Sequence, residues 1–399
     1  MSYKNYDQTP AVKRHRFPAL PDVISKIRGE QGQADRIMLL LILALACFGS
    51  VMIFSASYAN ALSRYGDSLY FVKRQIIWLA VGFATMILCS FIQPERYEKY
   101  TPLAFCITII LLIAVLIAGQ TGGGAQRWLA IGSLTFQPSE LAKTTLVLML
   151  ARHFAHHRDT ILDYDRKGRS FLTGTMVPFA YIGLICGLVA LEKHLSCIII
   201  LGMLGITLMF AAGSRARYLT MFGAAGVAGV TALALFTDYT KRRIMIWQNP
   251  EAFPLDGGWQ TLQGMMAIGS GGFFGLGLGN SRLKYSYVAE PQNDFIFTIT
   301  CEELGFLGAA LILILFGLFL FRGYSIALRN PSVFCGLAVF GITTKVALQV
   351  LLNLAVVTNS IPNTGISLPF FSYGGSSLVM LFAEMGIILS ISRTSHIRR

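Results

Sequence analysis

Charged residues are scarce in this chain. Asp, Glu, Lys and Arg make up 13% of the 399 residues, whereas a soluble domain carries about a quarter. Hydrophobic residues make up 54%, and the mean hydropathy is +0.59. This composition excludes a soluble globular domain and indicates an integral membrane protein.

Cysteine is missing from every predicted outer loop. All seven cysteines fall inside apolar runs or at their edges, where they are expected to act as small buried hydrophobes. We therefore predict neither a disulfide framework nor a metal site. The chain also shows no dinucleotide fingerprint and no zinc-finger pattern. No cleavable signal peptide is expected, because the first 35 residues are polar and basic.

Long apolar runs are what the chain has instead. Runs of about 20 residues, the length that crosses a bilayer core, occur at 37–56, 75–93, 101–119, 138–155, 173–191, 195–212, 218–236, 295–321, 333–357 and 376–392. They predict an all-α polytopic membrane protein of about ten transmembrane helices, with a large outer loop between spans seven and eight. The expected domains are a cytoplasmic basic tail (1–35), the membrane domain (36–392) and a cytoplasmic C-terminal tail (393–399).

The formal charge of +13 does not indicate a nucleic-acid partner. Most Lys and Arg residues lie in the N-terminal tail and in alternate short loops, as the positive-inside rule requires of cytoplasmic segments. We therefore predict a multi-pass protein of the cytoplasmic membrane with both termini in the cytoplasm and no nucleic-acid partner.

The stretch YVAEPQNDFIFTITCEELG (287–305) places one acid, Asp294, where a polar loop meets an apolar run. A carboxylate at a membrane boundary is costly and marks a candidate functional site. Two interpretations are about equally supported by the stretch alone: Asp294 is a catalytic base, or it only caps the following helix.

Cations occur in the predicted outer regions. Arg127 offers a planar fork suited to phosphate, while Lys143 can either pair with Glu140 three residues away or contact substrate. Arg282 and Lys284 belong to a basic cluster in the long outer loop, together with 241–243. This cluster predicts an anionic ligand at the outer surface, with diphosphate as the natural candidate.

The segment NTGISLPFFSYGGSS (363–377) leads into span ten. Its free backbone N–H groups and hydroxyls would suit an anion, and a helix start without a ligand is an equal alternative. The candidate residues are Ser372, Gly374, Gly375 and Ser376.

Other polar residues are open to structural explanations. Lys345 and Glu384 lie at similar depth in spans nine and ten, which favours an ion pair over a polar substrate groove. His153, His156 and His157 share a helical face, but we interpret them as interfacial rather than metal-binding. The turn LEKHLS (191–196) is more polar than a short turn requires.

Four motifs carry a family resemblance. FQPSELAK (136–143), DGGWQTLQ with GSGGFFGLGLGNS, EPQNDFIFTITCEELGFLG (290–308) and PNTGISLPFFSYGGSS (362–377) resemble the FtsW/RodA/SpoVE group of shape, elongation, division and sporulation (SEDS) proteins. The similarity covers about 37–392, and the region 55–78 is most similar to the FtsW/SpoVE branch. The resemblance implies a ten-span peptidoglycan glycosyltransferase that polymerises lipid II with a class B penicillin-binding protein and other divisome membrane proteins.

The resemblance also implies roles for particular residues. The essential acid of the family falls on Asp294, and its associated polar positions fall on Arg127, Lys143, Lys284 and Glu290. Two positions depart from the family pattern: Glu192-Lys193-His194-Leu195 replaces a Gln-Pro-Asp-Leu turn, and Asn359 stands where glycine is usual. Asn tolerates a left-handed backbone, so we expect the second change to be mild.

The implied chemistry needs one carboxylate, because a diphosphate leaving group requires cations rather than a proton. We hypothesise that Asp294 deprotonates the GlcNAc 4-hydroxyl, which attacks the anomeric carbon of the lipid-linked strand and inverts it to a β-1,4 bond. A divalent cation, Mg²⁺ or Mn²⁺, would assist the cations at the diphosphate. The alternatives are a lipid II flippase, a non-catalytic scaffold, and a sporulation or elongation paralogue of the same family.

Overall fold

The computed structural model describes residues 32–122, 125–131, 134–163, 167–236, 238–254, 257–285 and 292–394. The N-terminal tail predicted for 1–35 therefore lies almost entirely outside the described residues, and so does Glu290.

Helices dominate the described chain. They are α1 (Arg36–Tyr65), α2 (Tyr70–Phe91), α3 (Pro94–Ala118), α4 (Pro138–His156), α5 (Arg158–Leu162), α6 (Lys167–Phe171), α7 (Val177–Leu191), α8 (Leu195–Ala211), α9 (Ala216–Phe236), α10 (Asp238–Gln248), α11 (Gly258–Ser270), α12 (Ile296–Arg329), α13 (Val333–Val357) and α14 (Gly375–Ser392). A π-helical turn, Leu172–Met176, leads into α7, and a 3₁₀ turn, Pro250–Ala252, precedes α11.

Each of the ten predicted spans coincides with a helix. In the described chain, seven helices are long and apolar enough to cross a membrane, and α8 is apolar but shorter. The predicted all-α membrane fold is confirmed, while the count of ten and the outer position of the long loop stay predictions.

A small antiparallel sheet departs from the all-α prediction. Strands β1 (Gln120–Gly122), β2 (Ala125–Ile131) and β3 (Leu134–Phe136) join α3 to α4, in the order β1-β2-β3. In this sheet Gln120 lies opposite Trp128, and Leu129 opposite Phe136. Most of the described residues between α3 and α4 therefore form strands, and β2 sets the backbone positions of Arg127 and Trp128.

Small residues let α14 pack closely against α2. A Cβ on Gly82 would stand 2.6 Å from the Phe382 ring, and a Cβ on Gly386 would stand 2.5 Å from the Met86 carbonyl oxygen. Such close backbone approach is how membrane helices gain packing energy without a hydrophobic driving force between them. This pair sets the position of the start of α14.

The long helix α12 is interrupted at Gly305, whose φ of 64° and ψ of −164° are not helical. The glycine-rich segment after α11 pairs with the break: the Leu276 and Gly277 amides donate to the Glu302 and Glu303 carbonyl oxygens at 3.0 and 2.9 Å. The Phe306 amide returns a bond to the Gly272 carbonyl at 2.9 Å. The backbone groups released by the break are therefore satisfied within the protein, as irregular backbone in a membrane protein requires.

At the opposite end of α12, Arg322 ties three helices together. Its guanidinium donates to the Asp35 carboxylate, with Nε 3.1 and 3.0 Å from the two oxygens. Asp35 also accepts from the Met38 amide at 2.8 Å and so caps α1, and its own amide donates to Ser392 Oγ at 3.0 Å. The ends of α1, α12 and α14 meet here.

Candidate active site

The segment 292–295, which leads into α12, is held against the loop between α13 and α14. Ser372 Oγ donates to the Asn293 carbonyl at 2.8 Å, and the Tyr373 amide donates to the Gln292 carbonyl at 2.9 Å. The Asn353 side-chain amide donates to the Asp294 carbonyl at 2.9 Å and to the Ile366 carbonyl at 2.7 Å. These bonds fix the backbone on both sides of Asp294.

Asp294 does not occupy the cap position of α12. The N-cap is Phe295, so Asp294 precedes the cap by one residue. The carboxylate is half-buried and lies beside Gly365, where a Cβ would stand 3.3 Å from Asp294 Oδ2. Gly365 also has a φ of 71°, which disfavours a side chain on backbone grounds.

A cavity of about 460 Å³ contains Asp294 in its wall. The wall brings together six of the predicted site residues: Asp294, Arg127, Ser372, Gly374, Gly375 and Ser376. Because these come from the α12 entry, the small sheet and the start of α14, the fold assembles a site from distant parts of the sequence. Its volume is that of a ligand-binding pocket.

Arg127 reaches the cavity from β2. Its Nη2 donates to the Lys193 carbonyl at 2.7 Å, which ties the sheet to the turn between α7 and α8. Its Nε is buried and has no hydrogen-bond partner in the described part of the chain. The guanidinium therefore has unused donor capacity, and contact of Arg127 with phosphate stays a prediction.

The polar turn after α7 belongs to this region. Glu192 is 1% exposed, and both of its carboxylate oxygens lack a hydrogen-bond partner among the described residues. Burial raises the pKa of Glu192 to about 8, although the nearby Arg127 opposes the rise. Burial lowers the pKa of His194 to about 3, and the cations Arg127 and Lys143 add to this effect. Near neutral pH the turn thus carries an uncharged imidazole, and His194 itself lines the cavity.

Lys143 does not line the cavity. Its ammonium donates to Glu140 Oε1 at 2.7 Å, and both residues are buried. It is Glu140 that lies in the cavity wall. A second buried pair is Lys345 with Glu384, in which Lys345 Nζ is 2.7 Å from both carboxylate oxygens. For both pairs the structural interpretation agrees with the geometry, and substrate contact by Lys143 stays a prediction.

Arg282 and Lys284 are not brought to this cavity. Lys284 Nζ is buried and donates to Glu303 Oε1 at 3.0 Å and to the Gly279 carbonyl at 2.6 Å. It borders a different cavity, of about 400 Å³, beside Phe54 and Tyr58 of α1. Arg282 is exposed, and its amide donates to Glu302 Oε1 at 3.1 Å. Arg282 and Lys284 of the predicted basic cluster are therefore not gathered around Asp294, and Lys284 neutralises a buried acid instead.

Several wall residues escaped the sequence reasoning. Arg74, Trp78, Gln137 and Tyr373 also line the cavity. A tryptophan near the start of a span is typical of an interfacial anchor, and the polar run that contains Arg74 gives no signal of its own. Burial raises the pKa of the Tyr373 phenol, so the phenol is a hydrogen-bond donor at neutral pH.

The departure at Asn359 has the expected geometry. Its φ is 55°, in the left-handed region that Asn tolerates better than most residues. The predicted mildness of the Gly-to-Asn difference is consistent with this backbone. His153, one of the three histidines interpreted as interfacial, donates from Nε2 to the Thr173 carbonyl at 2.7 Å and stacks on His157. No cluster of three or more His, Cys, Asp or Glu side chains within the described ranges is placed to hold a metal ion.

Comparison with known proteins decides the family. The sequence profile named FtsW/RodA/SpoVE and described as "Cell cycle protein" matches residues 35–397. The chain belongs to the FtsW/RodA/SpoVE family. It is 36% identical over 364 residues to Stage V sporulation protein E of Bacillus subtilis, covering 90% of this chain and 97% of that protein. It is also 36% identical over 361 residues to the probable peptidoglycan glycosyltransferase FtsW of Geobacter sulfurreducens, covering 90% and 95%.

Solved structures share the fold of this family member. The rod shape determining protein RodA of Thermus thermophilus is 27% identical, with a TM-score of 0.68 over 91% of this chain and 98% of that one. A chain from a peptidoglycan synthase complex, described for its coordination of polymerization and crosslinking, is 26% identical with a TM-score of 0.75 over 91% and 99%. The family resemblance inferred from the four motifs is thereby confirmed.

Proposed function

We propose that this family member is a peptidoglycan glycosyltransferase that polymerises lipid II into β-1,4 glycan strands at the outer face of the cytoplasmic membrane. The observation that carries the proposal is the half-buried Asp294 carboxylate in a cavity of about 460 Å³ shared with Arg127 and the start of α14. The names of the relatives, which include a probable peptidoglycan glycosyltransferase, support the same activity.

In the proposed reaction Asp294 takes the proton from the acceptor GlcNAc 4-hydroxyl. The hydroxyl oxygen bonds to the anomeric carbon of the growing strand, and the bond from that carbon to the diphosphate breaks with inversion. The electron pair leaves on the diphosphate, so no second carboxylate is needed to protonate the leaving group. One positioned base of this kind contributes about 10²- to 10⁴-fold to the rate.

Arg127 and the first turn of α14 are proposed to receive the diphosphate. The N-cap of α14, Gly374, has no side-chain cap, so the amides of the first turn are available to an anion at the positive end of the helix dipole. Ser376 and Ser372 line the same wall. A Mg²⁺ or Mn²⁺ ion bound to the diphosphate stays part of the proposal, as do contacts from Lys143, Arg282, Lys284 and Glu290.

We further propose septal cell-wall synthesis in cell division, with both termini in the cytoplasm. A class B penicillin-binding protein and other divisome membrane proteins are the proposed partners. The match to a chain of a complex that coordinates polymerization with crosslinking supports a transpeptidase partner. Similarity to Stage V sporulation protein E supports a sporulation role as the alternative. Cells depleted of the protein should form filaments if its role is in division, and should fail only in spore formation if its role is in sporulation.

Reconstitution separates the activities. The full chain, together with its penicillin-binding protein, is placed in vesicles containing lipid II, and both glycan strands and lipid II translocation are measured. Strands that fall at least about 100-fold in Asp294→Asn support the polymerase, whereas translocation without strands supports a flippase. If neither activity is observed, the result supports a non-catalytic scaffold.

Asp67→Asn is the matched control for Asp294→Asn. Asp67 is an exposed-loop acid that accepts from Lys73 Nζ at 2.8 Å and lies outside the cavity wall. This variant should polymerise like the wild type. Normal polymerisation by Asp294→Asn would show that the base is assigned to the wrong residue.

A further inference from the structure

A second, smaller cavity lies on the other side of the α13–α14 loop. It has a volume of about 190 Å³ and is lined by Arg243, Trp247, Gln260, Thr261, Asn359 and Asn363. None of these residues takes part in the proposed reaction. The cavity lies where α10, the start of α11 and the loop after α13 meet.

The walls of this cavity are fixed by hydrogen bonds between the elements. Trp247 Nε1 donates to the Asn359 carbonyl at 2.9 Å, and Asn359 Nδ2 donates to the Trp247 carbonyl at 3.5 Å. Arg243 Nη1 donates to the Asn363 carbonyl at 2.7 Å. The site is therefore preformed, which reduces the entropy lost when a ligand binds.

The chemistry of the lining indicates an uncharged, hydroxyl-rich ligand. Gln260 has no hydrogen-bond partner among the described residues, and Asn363 uses only Oδ1, which accepts from the Gly365 amide at 3.0 Å. A carboxamide can both donate and accept, as a sugar hydroxyl requires. The Trp247 ring offers an apolar surface of the kind that covers the C–H face of a pyranose.

Other ligand classes fit this lining less well. It contains one cation, Arg243, whose Nη1 is already bound to Asn363, so it is weakly equipped for a diphosphate. Four hydrogen-bonding side chains, Gln260, Thr261, Asn359 and Asn363, disfavour an acyl chain, because burying them against hydrocarbon would cost hydrogen bonds.

The second cavity adjoins the Asp294 cavity through one short stretch of chain. Asn363 lines the smaller cavity, and Gly365, two residues on, lines the larger one beside Asp294. Two residues of chain span at most about 7 Å. Arg243 is also close enough to His194 of the larger cavity to lower the pKa of His194.

We propose that this cavity is a saccharide subsite that holds one sugar unit of the β-1,4-linked amino-sugar strand next to the reaction centre. The inference rests on the proposed function and deepens it. A subsite that holds the strand between successive additions reduces its release, so it determines the length of the product rather than the rate of each addition.

Binding is tested with chitotetraose, a soluble β-1,4-linked N-acetylglucosamine oligomer. Saturation-transfer NMR on the full chain in detergent measures its affinity for the wild type, Gln260→Ala and Gln260→Glu. Removing one hydrogen-bonding partner should weaken binding about fivefold. Gln260→Glu keeps the shape but loses the donor, and it preserves the test if the alanine variant folds poorly.

Gln248→Ala is the matched control, because Gln248 is exposed on α10 and does not line the cavity. It should bind chitotetraose like the wild type. Equal affinities for the wild type and both Gln260 variants would overturn the subsite, and so would a lack of binding by the wild type.

Product length gives an independent readout. In the vesicle assay, Gln260→Glu should make shorter strands at a near-normal rate of sugar incorporation. Strands of wild-type length overturn the subsite but leave the polymerase intact, whereas only the Asp294→Asn result decides the polymerase. Loss of binding to the penicillin-binding protein with unchanged strand length would identify a protein contact and also overturn the subsite.

Discussion

The indole of Trp78 lies directly on Gly375 at the first turn of α14: a Cβ on that glycine would stand 2.3 Å from Trp78 Cε2. Both residues line the Asp294 cavity. The contact joins α2 to the helix start that is proposed to receive the diphosphate, and it leaves no room for a side chain at position 375.

Gly375→Ala should therefore displace either the indole or the first turn of α14. Overpacking of this kind costs about 1–3 kcal/mol, and we expect a loss of glycan synthesis larger than the loss of thermal stability. Combining it with Trp78→Leu should restore part of the synthesis. Gly183→Ala is the control, because nothing lies within 4 Å of the added carbon; equal synthesis by Gly375→Ala and Gly183→Ala would contradict the contact.

Glu192 should make stability depend on pH. Its pKa rises from 4.5 to about 8 on folding, so the folded state retains a proton that the unfolded state has lost. The contribution is complete below about pH 4.5 and is lost as pH rises toward 8, when the buried carboxylate ionises. Relative to the wild type, Glu192→Gln should be more stable by more than about 1 kcal/mol at pH 8.5 and nearly equal at pH 4.

Thermal unfolding of the detergent-solubilised protein at the two pH values measures this difference. The exposed Glu251, in the 3₁₀ turn before α11, provides the control variant Glu251→Gln, which should follow the wild type. A pH profile shared by Glu192→Gln and the wild type would exclude Glu192 as the source.

The Lys345–Glu384 pair should be structural. Lys345→Met leaves a fully buried Glu384 carboxylate without its cation, which costs about 3–5 kcal/mol. The double variant Lys345→Met with Glu384→Leu should recover most of that stability, and a double-mutant cycle in thermal unfolding measures the recovery. If the pair instead formed a substrate groove, the double variant would be stable but inactive.

Lys284 can be tested as a substrate contact against its observed bond to Glu303. Lys284→Met should lower thermal stability by a few kcal/mol, since Glu303 is also fully buried. Arg282→Gln, at an exposed side chain, should leave stability unchanged. A raised KM for lipid II in Lys284→Met at normal stability would show that the ammonium leaves Glu303 to bind diphosphate.

The positions of the long helices could be predicted from the sequence, because the length of a hydrophobic run matches the length of the helix that spans the membrane. The run at 333–357 matches α13 residue for residue, and Pro138 begins α4 as expected of a first-turn proline. The hydrogen bonds that hold the backbone around Asp294 could not be predicted from the sequence. Asn353 and Ser372 satisfy carbonyls 59 and 79 residues away, and no local pattern encodes such partners.

The positions of the cations relative to Asp294 could not be predicted from the sequence. The sequence grouped Lys284 with the exposed Arg282 because both are basic, but the ammonium of Lys284 is bound to the buried Glu303 carboxylate. The buried acid was visible in CEELG, yet its partner could be identified only from the way the glycine segment folds back on α12. The small sheet was missed for a related reason, since glycines 122–124 are typical of a loop and the strands around them are three to seven residues long.

The break at Gly305 separates the mechanics of α12 into two parts. The first nine residues, which begin beside Asp294, are braced by the glycine segment, and the longer remainder is tied to α1 through the bond of Arg322 to Asp35. A continuous helix at this point would use the Glu302 and Glu303 carbonyls for its own hydrogen bonds, so the glycine segment would lose its attachment to the part of α12 that begins beside Asp294.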